Sequence, residues 1–352
     1  MNYIGSKLSI LNYIDNTIQD FAKINNNNVT FCDIFAGTSS VGKYFKKKNY
    51  SIISNDIQYY SYVIAKHYIE NNKKIEFKRL KQNNITDVFE YLNNLNNKKG
   101  FIYYNYTMEG TENQEYERKY FTEENAIKID SIRIKIEEWK KNNLVEENEY
   151  YYLLTCLLEA ADKVANTASV YEAFLKNIKK SACKPLQFRP LEVLINSETK
   201  KYIVKNKDAN DLIKEIEGDI LYLDPPYNTR KYDTNYHMLE TIALYDNPKI
   251  KGKTGVRAEN NKRSKYCMKK EVEQTFEELI KNAKFKYIFL SYNDEGIIPF
   301  KRIEKIMSKY GSYKVYKQKH KRYKADNKRR YLKNNTIEYI HCLKKNMPER
   351  GI

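Results

Sequence analysis

The chemistry in this sequence is most concentrated in residues 224–227, which read Asp-Pro-Pro-Tyr directly after an apolar segment. Neither proline can donate a backbone N–H, and each fixes its own φ and extends the residue before it. The turn therefore presents the Asp224 carboxylate, a free backbone carbonyl and the Tyr227 ring as one stiff cluster. A planar amine stacked on that ring can donate its two N–H groups to the two oxygens. We therefore expect a receptor for an exocyclic amino group, the alternative being a stiffened strand end with a surface tyrosine.

A second candidate site is the turn within DIFAGTSSVG, residues 33–42, which also follows an apolar segment. Gly37 permits a ligand to approach the backbone closely, and Ser39 or Ser40 is expected to cap the next helix. Asp56 follows 56 − 37 = 19 residues later, a spacing typical of an acid that binds ribose hydroxyls. A dinucleotide fingerprint would require glycine in place of Ser39, and the turn has no basic residue to face a pyrophosphate. The turn fits a nucleoside without phosphates better than a dinucleotide, and an ordinary strand–turn–helix remains the alternative.

Both candidate sites require parallel strands whose carboxyl ends meet at one edge of a sheet. Four segments of the sequence predict such strands, and helical segments alternate with them: 29–35, 50–56, 219–227 and 285–293. In an open α/β sheet, ligands bind in the crevice beyond the carboxyl ends of the strands. The sequence therefore predicts an α/β fold with a parallel, doubly wound sheet.

The composition favours a polyanionic partner. The chain has 352 residues with 63 Lys and Arg against 45 Asp and Glu, a formal net charge of +18. Such an excess is typical of nucleic-acid binding, because neutralised phosphates release condensed counterions. The alternative is a composition shaped by AT-rich coding, which enriches Lys, Asn, Ile and Tyr together. The 33 tyrosines add only slight support for nucleic-acid binding, since tyrosine packs in a core as readily as it stacks on bases.

Cysteine and histidine positions argue against a metal site. The five cysteines are scattered without a C-x-x-C pair, and the four histidines form no spaced ligand set: His67, His237, His320 and His341. This pattern fits a reducing compartment and argues against a disulfide framework. No run of about 18 apolar residues occurs, and the N-terminus has no apolar signal core. We therefore expect a soluble cytoplasmic protein without a bound metal or a membrane partner.

The interval 57–200 differs from its surroundings, because segments 126–142 and 150–165 place apolar residues at helical spacing. We predict a mainly helical insertion at 57–200, with the α/β domain formed by 1–56 and 201–352. The stretch from 313 to 345 is strongly basic and closes on the predicted strand TIEYIHCL.

Taken together, the motifs resemble the Dam-like, or D12, family of DNA adenine-N6 methyltransferases, over most of the chain. The N-terminal NYIGSK resembles that family's aromatic-x-G-x-K element, and DPPY its catalytic motif. Further resemblances are DIFAGTSSVG to the cofactor loop, IISND to the ribose-binding acid and KDANDL (207–212) to the adenine-binding element of the cofactor site. Three other stretches look like those of type II members: TGVR (254–257), RSKYC (263–267) and SYNDEG (291–296).

The resemblance implies a Rossmann-like fold that binds S-adenosyl-L-methionine. Positions that correspond to the family's cofactor contacts are Tyr3, Lys7, Asp56 and Asp224, joined by Asp33, Phe35, Gly37 and Asp208. The sequence departs from the family pattern at Ser39, where many members have glycine. Since serine is small, we expect this departure to tune cofactor affinity and not to abolish it.

The resemblance also implies transfer of a methyl group to N6 of an adenine flipped out of double-stranded DNA. Catalysis is expected from Asp224, Pro225, Pro226 and Tyr227. The helical insertion and the loop 253–267 are expected to read the DNA sequence, while the basic tail grips the backbone. The expected DNA contacts are Arg230, Lys231, Tyr232, Arg257, Lys262, Arg263, Lys321, Arg322, Arg329 and Arg330, each with solvated surface charge as its alternative. A cognate restriction endonuclease is the implied partner protein.

Four other functions remain open on the sequence alone. Methylation of cytosine N4 or of RNA adenine uses similar motifs, although the aspartate at position 224 favours adenine. A non-catalytic nucleic-acid-binding protein on the same fold is disfavoured by the intact Asp56 and DPPY motif. A nucleotide-dependent oxidoreductase is disfavoured by the missing second glycine.

Overall fold

The computed structural model describes residues 5–24, 28–229, 232–258, 264–321 and 335–346. The chain divides into two compact units. The sheet unit comprises the described parts of Gly5–Ala65, Asn196–Lys231 and Lys262–Ile352. The helical unit comprises the described parts of Lys66–Ile195 and Tyr232–Asn261.

These boundaries differ in part from the predicted insertion at 57–200. The helix at 59–65 packs on two strands of the sheet and therefore remains with the sheet unit. The segment 232–258 belongs instead to the helical unit. One cause of this placement is the buried Arg133, whose guanidinium donates hydrogen bonds to the backbone carbonyls of Ile242 and Ala243.

The sheet unit is built on seven strands in the order β3-β2-β1-β4-β7-β9-β8. Elements are numbered along the whole chain. The strands are β1 (Thr30–Asp33), β2 (Ser51–Asn55), β3 (Tyr202–Lys205), β4 (Glu217–Leu223), β7 (Lys284–Asn293), β8 (Gly311–Lys321) and β9 (Asn335–Lys345). The first five strands of this order are parallel, while β9 runs antiparallel to both β7 and β8. The predicted doubly wound α/β sheet is thus confirmed.

Helices cover the sheet because alternate strand residues are apolar on both faces. These helices are α1 (Leu11–Ala22), α2 (Ser40–Lys47), α3 (Tyr59–Ala65), α10 (Ala209–Leu212), α13 (Val272–Asn282) and α14 (Phe300–Ser308). Leu221 and Leu223 of β4 belong to one core cluster with residues of α10, α13 and α14. On the alternate positions of the central strands, Phe31 stacks on Phe45 of α2 and on Tyr222.

The sequence predicted five of these seven strands and missed β3 and β8. Strand β3 has four residues and lies at one edge of the sheet, so its apolar signal is short. Strand β8 lies at the other edge, where the sequence GSYKVYKQKHK alternates lysine with larger residues. Lysine-rich edge strands are common because charge discourages pairing with other chains. Their composition hides them in a sequence that is basic throughout.

The helical unit contains the predicted amphipathic segments as its two long helices. Its helices are α4 (Lys78–Gln82), α5 (Val88–Asn93), α6 (Phe101–Tyr106), α7 (Met108–Thr111), α8 (Glu123–Lys141), α9 (Glu147–Val164), α11 (Tyr232–Asn235) and α12 (His237–Leu244). Side-chain caps begin both long helices, with Thr122 accepting from the Asn125 N–H before α8 and a capping box of Glu146 and Glu149 before α9. Among the described helices, none is long and apolar enough to cross a membrane.

A short antiparallel hairpin completes the helical unit, formed by β5 (Ile250–Lys251) and β6 (Val256–Arg257). Its turn is fixed by side chains of the same unit. Tyr106 Oη donates to the Gly255 carbonyl at 2.9 Å, and Tyr120 Oη to the Thr254 carbonyl at 3.1 Å. Arg118 donates to the Gly252 carbonyl at 3.1 Å. Three carbonyls of a four-residue turn are thus satisfied by buried donors, so the hairpin is held rigidly.

Candidate active site

The sheet order reverses between β1 and β4, and carboxylates lie on both sides of that point. Asp33 ends β1 and Asp224 follows β4, while Asp56 follows the neighbouring β2. A crevice at such a reversal, beyond the carboxyl ends of the strands, is where open α/β sheets bind ligands. The structure therefore brings the two motifs predicted from the sequence to one edge of one sheet.

The glycine turn is fastened to the end of β2 by Asp56. Gly37, at φ +51°, donates its N–H to Asp56 Oδ2 at 2.8 Å. The other carboxylate oxygen of Asp56 accepts from the Gln58 N–H at 2.9 Å. Since each carboxylate oxygen has two lone pairs, such a group can hold the turn and also accept a hydroxyl of a ligand. The 19-residue spacing between glycine and acid thus corresponds to a direct contact.

Ser39 adopts a conformation that glycine prefers. Its φ is +58° and its side chain is fully buried. Although it precedes α2, its hydroxyl forms no capping hydrogen bond, and Ser40 Oγ pairs with Thr38 Oγ1 instead. The predicted serine cap on α2 is therefore wrong. The left-handed backbone at this position explains why glycine would be tolerated there.

Asn55 was missed by the sequence analysis, although it joins the segments that surround the crevice. Its side-chain amide donates to the carbonyls of Ile34 and Lys207, and its Oδ1 accepts from the Lys207 N–H at 3.0 Å. The neighbouring Asp208 accepts from the Asn210 N–H and begins α10. A polar residue that closes the apolar run IISN was the available signal.

An aromatic contact lines the same part of the sheet unit. The rings of Phe35 and Tyr266 meet edge to face with centroids 4.9 Å apart. Tyr266 Oη donates to Asn210 Oδ1 at 2.9 Å, which links this ring to α10 near Asp208. Tyr266 thus connects Phe35 with Asn210, two residues after the predicted cofactor contact Asp208.

Asp33 is a buried carboxyl with spare acceptor capacity. The Gly42 N–H donates to its Oδ2 at 3.3 Å, while Oδ1 is buried without a hydrogen-bond partner among the described residues. Burial, followed by the nearby charges of Asp224 and Asp56, raises the pKa of Asp33 to about 8. A buried acid of this kind is suited to receiving a cation.

Asp224 is a partly exposed carboxylate directly after β4. Its side chain is 19% exposed, and its Oδ1 lies 3.2 Å from Lys7 Nζ. Burial raises the pKa of Asp224 to about 6; the Lys7 ammonium opposes this increase and the Glu338 carboxylate adds to it. At neutral pH the group is therefore an ionised acceptor that an incoming N–H can reach.

Lys7 is bound by two carboxylates and not by one. Its Nζ lies 2.8 Å from Glu338 Oε1, and Ser291 Oγ donates to the same oxygen at 2.6 Å. Burial opposes protonation of this lysine, but the charges of Asp224 and Glu338 raise the pKa of Lys7 well above its usual value. Glu338 and Ser291 were not predicted as site residues. The signal for Glu338 was a lone acid within the apolar strand TIEYIHCL.

The two prolines of the DPPY turn differ in exposure, and the carbonyl of the first is available as an acceptor. Pro225 is buried and Pro226 is half-buried. No hydrogen bond reaches the Pro225 carbonyl from the described residues. The Tyr227 carbonyl accepts from the Ile297 N–H at 2.9 Å, and the half-buried Tyr227 ring packs against the core of the sheet unit. The turn is therefore fixed at both ends.

Of the residues predicted to contact DNA, Arg257 is the one whose side chain the structure describes. Arg257 is buried, and its guanidinium forms a two-point ion pair with Asp246 at 2.8 and 2.6 Å. Arg257 was predicted to contact DNA, and in this structure its guanidinium is held by a carboxylate of the same unit; the DNA contact stays a prediction. The described residues do not include Tyr3, Arg230, Lys231, Lys262, Arg263, Arg322, Arg329 and Arg330, nor the side chains of Tyr232 and Lys321.

The hairpin carries other basic side chains that the sequence analysis did not single out. Lys249, Lys251 and Lys253 are exposed along it, on a backbone whose turn is fixed by buried donors.

In the described part of the chain, no three His, Cys, Asp or Glu side chains are grouped so that they can hold a metal ion.

Comparisons with known proteins show which family this chain belongs to. Residues 3–306 match the model of a family described as D12 class N6 adenine-specific DNA methyltransferase. Type II methyltransferase M.NlaIII of Neisseria lactamica is 48% identical over 98% of this chain and 99% of that protein. Type II methyltransferase M.FokI of Planomicrobium okeanokoites is 40% identical over 99% of this chain and 53% of that protein. Modification methylase LlaI of Lactococcus lactis subsp. lactis is 38% identical, and this chain spans 52% of its length.

Proposed function

Because this chain belongs to the D12 class of N6 adenine-specific DNA methyltransferases, we propose that it uses S-adenosyl-L-methionine to methylate adenine within double-stranded DNA. The observation that carries this proposal is the position of Asp224. It is an ionised, partly exposed acceptor at the reversal of the sheet order, next to a glycine turn that Asp56 fixes. An acceptor for an amine and a nucleoside-type crevice thus occur at one edge.

The residues of the crevice fit a cationic nucleoside. Asp33 Oδ1 is an acceptor buried within the sheet unit with no partner among the described residues, suited to a group that brings positive charge. Gly37 has no side chain to block the approach of a ligand, and the Asp56 carboxylate beside it can accept ribose hydroxyls. We assign cofactor binding to these residues together with Phe35, Asp208 and Lys7. When bound, S-adenosylmethionine supplies an activated methyl group on a sulfonium.

Asp224 and the Pro225 carbonyl are the proposed acceptors for the two hydrogens of the adenine amine. The N6 lone pair is delocalised into the purine ring, so the amine is a poor nucleophile. Two hydrogen-bond acceptors favour a more pyramidal nitrogen, and they stabilise the positive charge that develops on it. The Pro225 carbonyl and the charged Asp224 supply both acceptors from one rigid turn.

An adenine inside a duplex cannot reach this turn, so we propose that it rotates out of the stack. Tyr227 is the proposed stacking partner of the extruded base. Its hydrogen-bonded backbone and its packing against the core keep the ring in place. Stacking of a base on an aromatic ring contributes about 1–3 kcal/mol.

For DNA binding we propose the helical unit, with its hairpin as the principal element. Exposed Lys249, Lys251 and Lys253 present three positive charges on a rigid backbone. Preorganised contacts lose little conformational entropy on binding. The predicted basic segments 253–267 and 317–333 extend this proposal, and Lys317 and Lys319 are exposed in the described part of β8. A cognate restriction endonuclease and a cytoplasmic, nucleoid-associated location complete the proposal.

The proposed function is tested by identifying the methylated nucleoside that the enzyme forms. Plasmid DNA is incubated with the enzyme and isotopically labelled S-adenosylmethionine, digested to nucleosides and analysed by mass spectrometry. We expect N6-methyladenine, confined to a short sequence that modification-sensitive sequencing of the plasmid would identify. Methylated cytosine as the main product would overturn the acceptor base, and label confined to RNA would overturn the substrate.

A variant separates chemistry from binding in the same assay. Asp224→Ala removes the acceptor of the reacting amine and leaves the DNA-contacting hairpin unchanged. We expect transfer to fall by about 100-fold or more, with DNA affinity preserved. Transfer at the wild-type rate would exclude Asp224 as the acceptor.

A further inference from the structure

The Lys7 ammonium lies closer to Glu338 than to Asp224. The distance from Nζ is 2.8 Å to Glu338 Oε1 and 3.2 Å to Asp224 Oδ1. The side chains of Lys7 and Glu338 are each 9% exposed. Two carboxylates therefore share one ammonium in a nearly dry environment, and the cluster keeps one net negative charge.

The strand arrangement explains how Glu338 reaches this position. Strand β9 runs antiparallel to β7, with Glu338 opposite Asn293, the last residue of β7. The beginning of β9 therefore lies at the same edge as the carboxyl ends of the parallel strands. Residues 340 and 342, on alternate positions of β9, are fully buried apolar residues.

A carboxylate on such an apolar strand face is costly to bury unless it is paired and hydrogen-bonded. Pairing with Lys7 and the hydrogen bond from Ser291 satisfy it here. Neutralising Lys7 does not by itself require Glu338, because Asp224 is already within reach of the ammonium. The presence of Glu338 as a second carboxylate beside Lys7 therefore needs another explanation.

We propose that Glu338 is a positioning residue, which holds the Lys7 ammonium on its own carboxylate and thereby leaves the Asp224 carboxylate open to the reacting amine. Without Glu338, the ammonium would pair with Asp224 alone and donate to an oxygen that must accept the amine N–H. Ser291 fixes the rotamer of Glu338 through its hydroxyl. This inference rests on the proposed role of Asp224.

The pH dependence of the reaction distinguishes this role from simple structural support. Among the described residues, the charged or titratable groups that interact with Asp224 are Lys7 from the N-terminal segment, Glu338 from β9, Tyr222 from β4 and Asp33 from β1. Of these, Lys7 lowers the pKa of Asp224 and Glu338 raises it. Removing the Glu338 charge should therefore lower the pKa of Asp224, and removing the Lys7 charge should raise it.

The experiment compares Glu338→Gln, Lys7→Met and the double variant in single-turnover assays on duplex DNA across pH. Glutamine keeps the size of the side chain and can still accept from Ser291, so thermal unfolding should change little. We expect kcat of Glu338→Gln to fall about tenfold, less than for loss of a group that contacts the reacting atoms. KM should stay within twofold, and the acidic limb of kcat should move to lower pH. Lys7→Met should move that limb to higher pH.

The double variant provides the decisive comparison. If Glu338 acts through Lys7, then Glu338→Gln has no further effect on kcat in a protein that already carries Lys7→Met. Glu304→Gln, which removes a half-buried carboxylate that pairs with Lys301 on α14, is the matched control and should leave kcat unchanged. Titration of the ¹³C-labelled Asp224 carboxyl in the ligand-free protein supplies a readout independent of turnover, and its midpoint should fall in Glu338→Gln.

Two outcomes would overturn the inference. One is a Glu338→Gln variant with wild-type kcat and an unmoved acidic limb. The other is an equal fall in kcat whether Glu338→Gln is made in the wild-type protein or in the Lys7→Met variant, which would mean that Glu338 acts independently. Failure of the proposed function itself looks different, because the wild-type enzyme would then form no N6-methyladenine at all.

Discussion

Asp33 is the last residue of β1, and Asp224 directly follows the adjacent parallel strand β4, on the other side of the point where the order of the sheet reverses. The register pairs Asp33 with Tyr222, two residues before Asp224. Burial is the largest cause of the raised pKa of Asp33, about 8, and the charge of Asp224 is the next. Two acids that differ in ionisation at neutral pH thus border one crevice. Their different protonation states lead to two separate predictions.

The first prediction is that cofactor binding releases a proton from Asp33. With a pKa of about 8, Asp33 is protonated at pH 7 in the free protein. A bound cation favours the ionised carboxylate, so the proton leaves on binding. Affinity for S-adenosylmethionine should accordingly rise as the pH approaches 8 and level off above it. Calorimetry in buffers of different ionisation enthalpy should detect close to one proton released per cofactor at pH 7.

Asp33→Asn supplies the control for this measurement. The amide cannot ionise, so the variant should bind more weakly and release no proton. Equal proton release by the variant and the wild type would assign the titration to another group.

The second prediction concerns the rate of transfer. The pKa of Asp224 is about 6, so the carboxyl is protonated below that pH and no longer offers a charged acceptor. We expect kcat to fall as the pH drops through about 6 and to be level above it, while DNA binding changes less. Single-turnover rates between pH 5 and 8 measure this directly. A rate independent of pH over that range would show that Asp224 is not titrating during the reaction.

The third prediction tests the contact between Asp56 and the glycine turn. Asp56→Ala removes the acceptor of the Gly37 N–H along with the proposed ribose contact. Binding of S-adenosylmethionine should weaken by about 1–3 kcal/mol, the scale of a missing charged hydrogen-bonding partner. Calorimetric titration gives the change, and circular dichroism checks the fold. NAD should not bind to either protein; tight NAD binding without a response to the sulfonium would contradict the cofactor assignment.

The fourth prediction tests the hairpin. Replacing Lys249, Lys251 and Lys253 with glutamine should weaken binding to all duplex sequences. The slope of log K against log salt should become shallower by about 0.9 for each phosphate that the variant no longer neutralises. Fluorescence anisotropy across a salt series measures the slope.

The matched control makes the same change in charge elsewhere. Lys201, Lys205 and Lys214 are exposed on the sheet unit, and their replacement with glutamine should leave the slope close to that of the wild type. If both triple variants change the slope equally, net charge and not the hairpin governs DNA binding.

The fifth prediction concerns the stability of the cofactor turn. Ser39 is a non-glycine residue at φ +58° with a buried hydroxyl that has no hydrogen-bond partner among the described residues. Ser39→Gly removes both costs, and the gain should exceed the entropy that glycine loses on folding. We expect the free energy of unfolding to rise by roughly 1 kcal/mol. Ser40→Gly, in the first turn of α2, should give no gain, and thermal unfolding compares the two.

The sequence was informative where a residue acts from the end of its own strand. Asp56 and Asp224 follow apolar segments that form parallel strands, so their convergence at one edge follows from the fold class. Glu338 could not be placed in this way, because its position depends on the insertion of an antiparallel β9 between β7 and β8. The local periodicity of a sequence indicates neither the order of the strands in a sheet nor their direction.

A basic stretch of sequence does not indicate which group each basic side chain contacts. Arg257 was predicted to contact DNA because it lies in a basic loop, but the hairpin brings it against Asp246. The pairing arises from a turn of the chain and not from helical or strand spacing. Asn55 was overlooked for a related reason, since its hydrogen bonds reach Lys207, 152 positions away. Contacts over such distances in sequence are determined by tertiary structure.

The insertion of β9 beside β7 also affects the order of events during synthesis. Lys7 and Glu338 are separated by 331 positions, and the inner edge of β7 is paired by β9. A ribosome adds roughly 5–20 residues each second, so a nascent chain holds most of its sheet before β9 has been made. During that interval β7 presents an unpaired edge and Lys7 lacks one of its two carboxylates. The cluster of Lys7, Asp224 and Glu338 is thus completed only after β9 has left the ribosome.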